Sequence, residues 1–213
     1  MTHAFDKDYW QQHWRQGRAD GAGSMAASPP NPHLAREISG LNPGTALDAG
    51  CGGGAEAVWL ATHGWQVTAA DISSEALARA AERAKASGIQ ERLRWVEADL
   101  STWNPGAQFD LVTTCYAHPA MPQLEFYDRI AEWVAPGGTL LIVAHLHTPD
   151  ADSANHDHHP PAEASATPAA ITARMDDTKW RIVTAEEHLR TLTGHDGRAV
   201  HLRDAVVRAD RRQ

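Results

Sequence analysis

The chain has 213 residues, a net charge of −8 at pH 7 and a pI near 5.9. That size suits one α/β domain with at most a small appendage, burying roughly 70% of the surface that the unfolded chain exposes. An acidic balance without a basic stripe argues against nucleic-acid binding, and no apolar run approaches the roughly 20 residues of a membrane span. Two cysteines, Cys51 and Cys115, make no disulfide framework, and residues 1–8 lack a basic and apolar leader. The expectation is a soluble, cytoplasmic protein.

Residues 6–16 predict a short helix with Tyr9, Trp10, His13 and Trp14 at helical spacing. Two readings stay open for it, a docking helix and an aromatic lid over a ligand. Residues 17–30, rich in Gly, Ala, Ser and Pro, read as a loop. Asn31 as N-cap and Pro32 at the first position open a helix that stops before Gly40.

Residues 45–61 organise the rest. A short apolar strand ends in Asp48, Gly50, Gly52, Gly53 and Gly54 crowd the next turn, and Ala57, Val58, Leu60 and Ala61 start a helix face. Strand, glycine turn and helix point backbone N–H groups and a helix N-terminus at a ligand. Gly64 ends that helix, and residues 66–71 form a second strand closing on Asp71. Ser73 or Ser74 caps a helix running to Ser87. Strands follow at 93–99 and 109–115, then a helix at 122–134, a turn at Pro136, Gly137 and Gly138, and an apolar strand at 139–145. Such alternation predicts a doubly wound parallel sheet.

Residues 147–167 break the rhythm with Pro149, Pro160, Pro161 and His147, His156, His158 and His159, and read as a loop insertion. Its histidines lack fixed metal-site spacing, so no metal site is predicted. A short helix from Thr167 to Met175 and strands at 180–186 and 200–208 complete the chain. Gly194, His195, Asp196 and Gly197 signal the turn of an antiparallel hairpin.

Asp48, Gly50, Gly52 and Gly54 together resemble the acid-x-Gly-x-Gly-x-Gly motif of the class I S-adenosylmethionine-dependent methyltransferases. So do Asp71 at the second strand end, Glu97, Asp99 and Leu100 after the third strand, Phe109 to Val112, and Ala135 to Leu140. The resemblance covers residues 44–145 closely and the hairpin loosely. The helix with Tyr9, Trp10 and Trp14 is also weakly similar to small bacterial enzymes of the thiopurine and tellurite-resistance type. It implies a Rossmann-like, seven-stranded, mostly parallel sheet with an antiparallel C-terminal hairpin. Residues 1–43 would form a helical lid or docking segment before a methyltransferase domain at 44–213.

The resemblance also implies roles. Gly50, Gly52 and Gly54, with Cys51 between them, approach the methionine and ribose part of S-adenosylmethionine. Asp71 accepts both ribose hydroxyls, Ile72 packs on adenine, Asp99 accepts its amino group and the Leu100 N–H bonds the ring. Asp48 organises the site, and Thr114 completes the cofactor set at the end of the fourth strand. Tyr116 and His118, on the loop that follows, are the catalytic candidates, with His118 as general base or pocket wall and Tyr116 as pocket wall. Trp10, Trp14, Met25 and the insertion would complete a pocket for a small-molecule methyl acceptor, with His145 and His147 beside it. The Asn/Asp-Pro-Pro-Tyr signature of nucleic-acid N-methylation is missing. Two other readings remain, an NAD-dependent oxidoreductase, since Gly50, Gly52 and Ala55 also fit the dinucleotide pattern, and a catalytically silent cofactor-binding subunit. The sequence leaves the oligomeric state open.

Overall fold

In the computed structural model, the described residues are 5–16, 29–146, 165–193 and 199–213. Met25, the histidines at 147, 156, 158 and 159, and the hairpin turn at 194–197 lie outside them. Helix α1 spans Lys7–Gln16 and α2 Pro32–Ile38. The central run is β1 Thr45–Ala49, α3 Ala55–Thr62, β2 Gln66–Asp71, α4 Ser74–Ser87, β3 Leu93–Glu97, β4 Phe109–Cys115, α5 Gln123–Ala131 and β5 Val134–His145. Helix α6 covers Pro168–Thr172, followed by β6 Trp180–Thr193 and β7 Ala199–Arg211.

One seven-stranded sheet orders these strands β3-β2-β1-β4-β5-β7-β6. The first five run parallel, and β7 lies antiparallel between β5 and β6. Strand order reverses on either side of β1, so a crevice forms where β1 and β4 end. Both sheet faces are apolar because both are covered. Leu111, Leu141, Val143 and Val206 face a cluster with Leu34 and Ile38 of α2 and Leu60 of α3. Val112, Leu140, Ile142 and Val207 face the opposite cluster with Phe126 and Ile130 of α5 and Ile171 of α6. Alternation with period two sends neighbours on one strand to different layers. Helix α2 is thus part of one covering layer. Among the described residues no helix is long and apolar enough to cross a membrane.

Local chemistry fixes most boundaries as expected. Asn31 caps α2 by accepting from His33 N at 3.0 Å, and Ser73 caps α4 by accepting from Ala76 N at 3.2 Å. Four boundaries differ. Strand β3 stops at Glu97, because Asp99 turns the chain by accepting from Ser101 N and Oγ at 2.9 and 2.6 Å. Helix α5 stops at Ala131 and Val134 already pairs with Phe109 in the sheet. The chain then takes five residues to reach Thr139 while β4 takes two to reach Leu111, so Pro136, Gly137 and Gly138 form a bulge within β5. Helix α6 ends three residues earlier than expected, at Thr172, and the chain continues to Met175 as turns. The hairpin runs longer than expected, paired from Trp180 with Arg211 to Thr193 with Ala199. Its distal half extends past the residues that pair with β5.

Gly138 explains why this bulge tolerates no side chain. A Cβ there would sit 2.9 Å from the carbonyl oxygens of Ala135 and Asp110, whereas one on Gly40 would meet nothing within 4 Å. Gly138→Ala should therefore cost about 2 kcal/mol or more of unfolding free energy, and Gly40→Ala within about 0.5 kcal/mol of neutral. Urea unfolding of the two variants checks the contrast.

Candidate active site

The crevice at the ends of β1 and β4 is built on the glycine turn. Gly50 N and Cys51 N both donate to Ala70 O, at 2.8 and 3.0 Å, which lays the turn across the end of β2. Gly50, Gly52 and Gly54 have φ of +83°, +49° and +75°, a region costly for other residues. Space forbids side chains as well. A Cβ on Gly50 would lie 2.3 Å from Ala117 Cβ, and one on Gly54 2.7 Å from Ala80 Cβ. Asp71 locks the turn from below, accepting from Gly52 N at 2.8 Å through one oxygen and from Ser73 N at 2.9 Å through the other.

Three carboxylates gather under this turn. Asp48 is 1% exposed, and its Oδ2 has no hydrogen-bond partner among the described residues. Burial pushes its carboxyl well above the usual range, and the nearby Glu56 and Asp71 push it further. Burial also raises Glu56 and Asp71, against the backbone N–H groups that bond them. Glu56, at the start of α3, accepts from Asn31 N at 2.9 Å. Burial, then the same acids, raises the Cys51 thiol, so it is not a thiolate nucleophile.

Helix α1 closes the top. The Trp14 ring is buried and would lie 3.0 Å from a Cβ on Gly52. Arg79 donates to Trp14 O, Gln11 Nε2 donates to Ser74 Oγ at 2.7 Å, and Ser73 Oγ donates to Gln11 Oε1 at 2.8 Å. Lys7 meets Glu97 at 2.5 Å. Trp10 Nε1 donates to His118 O at 3.2 Å, and Phe5 lies 5.8 Å from the His118 ring. The N-terminal aromatics and the loop after β4 therefore meet.

On that loop, His118 is 9% exposed. Gln123 Nε2 donates to Ala117 O at 3.0 Å, which leaves Gln123 Oε1 facing His118 Nδ1 at 3.2 Å. An amide oxygen can only accept, so Nδ1 carries the hydrogen and Nε2 the lone pair. Burial lowers the His118 pKa, opposed by the Gln123 bond, so the imidazole is neutral at pH 7. Tyr116 takes a left-handed backbone, φ +59°, and its hydroxyl accepts from Asn31 and Arg190. Thr114 Oγ1 donates to Ala49 O at 2.8 Å, tying β4 to the last residue of β1. Leu100 is buried beside Gly50, while Asp99 and Ile72 stay partly open.

The structure brings together residues the sequence reading did not connect. Asn31 stood out only as a cap and Glu56 not at all, yet both reach the turn. Asp204 of β7 is fully buried, within 3.2 Å of His33 Nε2, 3.4 Å of His145 Nδ1 and bonded by Arg190. An acid heading the apolar run from Ala205 to Val207 was the available signal. A groove of about 470 Å³ lined by Leu124, Arg174, Trp180 and Arg211 lies at the opposite sheet edge, away from this chemistry.

An α/β sheet with a glycine turn, an acid closing β2 and an antiparallel last hairpin defines a Rossmann-like class of cofactor-binding proteins. Residues 46–138 match the family described as "Methyltransferase domain". Through this segment, which is under half of its length, the chain resembles the methyltransferase family. It is 32% identical over 158 residues to thiocyanate methyltransferase 1 of Brassica oleracea, covering 72% of this chain and 63% of that protein. It is 36% identical over 112 residues to ribosomal RNA small subunit methyltransferase C of Alcanivorax borkumensis, covering 50% and 34%. The chain thus spans less than two thirds of the length of these relatives. Among solved structures, magnesium protoporphyrin IX methyltransferase of Synechocystis PCC 6803 with bound SAH shares the fold, with a TM-score of 0.68, 18% identity and 97% of each chain covered.

The buried carboxyl of Asp48 makes a stability prediction. Asp48 has its folded-state pKa raised above the unfolded value, so it favours the folded state only while protonated. Stability relative to Asp48→Asn should fall as pH rises from the unfolded carboxylate pKa through the folded one, then level off. Melting temperatures of both proteins across pH 4–9 check the sign; a constant difference would contradict it.

Proposed function

We propose that this chain binds S-adenosylmethionine at the glycine turn and transfers its methyl group to a small-molecule acceptor. The carrying observation is the buried carboxyl of Asp48, one oxygen of it unpartnered among the described residues, beneath three positive-φ glycines and flanked by Glu56 and Asp71. That set fits a cofactor bearing an ammonium and a sulfonium. The pyrophosphate of NAD would only hold those acids further from ionising and gain no partner from them, which disfavours it.

When bound, the cofactor supplies an electrophilic methyl group on sulfur. The chain's own residues would then bind, orient and exclude water. Asp71, anchored by Gly52 N and Ser73 N, keeps acceptor capacity on both oxygens for the ribose hydroxyls. Trp14 and Trp10 cover the turn as a lid, and Ile72 and Leu100 flank adenine beside Asp99. His118 Nε2, which carries the lone pair, would take the proton of a protic nucleophile. Cys51, Gly50 and Gly54 shape the floor, and Thr114 completes the cofactor set while its Oγ1 ties that floor to Ala49 O. The Brassica relative's small-molecule name supports the acceptor class.

Isothermal titration separates this reading from its rivals. S-adenosylhomocysteine should bind the wild type, NADH should give no heat, and Asp71→Ala should weaken binding by about 100-fold or more. Tight NADH binding instead would establish the oxidoreductase reading. Turnover decides against a silent subunit. His118→Gln should slow methyl transfer to thiols or phenols by about 10²–10⁴-fold in kcat, and an unchanged kcat would remove the base from the mechanism.

A further inference from the structure

The oxygen of Tyr116 is held by two groups that can only donate. Asn31 Nδ2 lies 2.8 Å away and Arg190 Nη2 2.6 Å. The amide orientation of Asn31 is fixed independently, because its Oδ1 accepts from His33 N at 3.0 Å. A guanidinium has no acceptor atom at all. Both lone-pair directions of the phenol are therefore filled, and its own hydrogen is left for a third group that neither partner supplies. Arg190, with its positive charge on the oxygen, makes that hydrogen a stronger donor.

The rest of the cluster makes the donor rigid. The Tyr116 ring stacks on His145 at 3.8 Å between centroids and 8° between planes. Arg190 is tied to Asp204, which also meets His33. The carboxylate of Asp204 is fully buried, while the side chains of Arg190 and His145 are 19% and 20% exposed. The cluster hides its acceptor, while parts of the Arg190 and His145 side chains reach the surface. It stands two residues before His118, and Asn31 N reaches Glu56 at the glycine turn.

We propose that Tyr116, set by Asn31 and Arg190, donates its hydroxyl hydrogen to an anionic group on the methyl acceptor, so the chain selects small anionic acceptors over neutral ones. This rests on the reading of the crevice as the methyl-transfer site. A buried anion is accepted only where donors are already fixed, since reorganising them would cost affinity.

Calorimetry on the full chain saturated with S-adenosylhomocysteine tests it, with three probes. They are 3-mercaptopropionate, whose anion is separate from its thiol, thiocyanate, whose anion is the nucleophile, and neutral 2-mercaptoethanol. The expected result is binding of at least one anion about tenfold or more tighter than the neutral thiol. Tyr116→Phe should remove that preference. Asn31→Asp should remove it too, because the introduced carboxylate still caps α2 but captures the phenol hydrogen. Should Tyr116→Phe fail to fold by its melting curve, Asn31→Asp decides. No preference for anions in the wild type, or full preference in both folded variants, overturns the proposal while leaving the cofactor site standing. Failure of S-adenosylhomocysteine to bind the wild type overturns the site reading and this proposal with it.

Discussion

A carboxylate taken out of water costs several kcal/mol unless a cation or enough donors meet it. Asp48 is buried at the end of β1 with one oxygen unpartnered and two further acids beside it. The surrounding structure is arranged around that cost. Gly52 N and Ser73 N support Asp71, Asn31 N supports Glu56, and Trp14 shields the turn from solvent. Acids held back from ionising in this way would be stabilised in their charged form by a positively charged ligand, and the glycines leave room beside them.

The sheet topology supplies the second half of the site. Because β7 inserts antiparallel between β5 and β6, Asp204 lands opposite His145 at the same edge where β4 releases Tyr116. Arg190 arrives from β6 in register with Leu202, two residues from Asp204. An antiparallel hairpin thus delivers the charged groups that fix the loop after β4, while the parallel strands deliver the glycine turn. The edge joins an acidic floor to a rim of donors, and α1 spans both.

Much of this was legible in the sequence where local chemistry decides. The glycine turn, the acid ending β2, the caps at Asn31 and Ser73 and the apolar alternation of β4 are short-range signals, and each element formed as expected. The start of β5 was not legible, because Val134 continues the helical face of α5 and only pairing with Phe109 claims it for the sheet. The Asp204 cluster was hidden for a related reason. Its members come from α2, β5, β6, β7 and the loop after β4, and no spacing in one stretch records their meeting. Asp99 shows the converse. Its position fits adenine recognition, yet one of its oxygens is engaged by Ser101 in a local turn.

The central claim, that acids held back from ionising by burial at the glycine turn prepare the chain for a cationic cofactor, has a direct readout. Binding of a cation favours the ionised acids, whose pKa values burial has raised, so protons must leave as the ligand enters. Titration of S-adenosylmethionine in buffers of different ionisation enthalpy measures that number. The account predicts net proton release, at a pH above the ordinary carboxylate range, that is lost in Asp48→Asn; proton uptake, or binding with no proton exchange at any pH between 4 and 9, would contradict it.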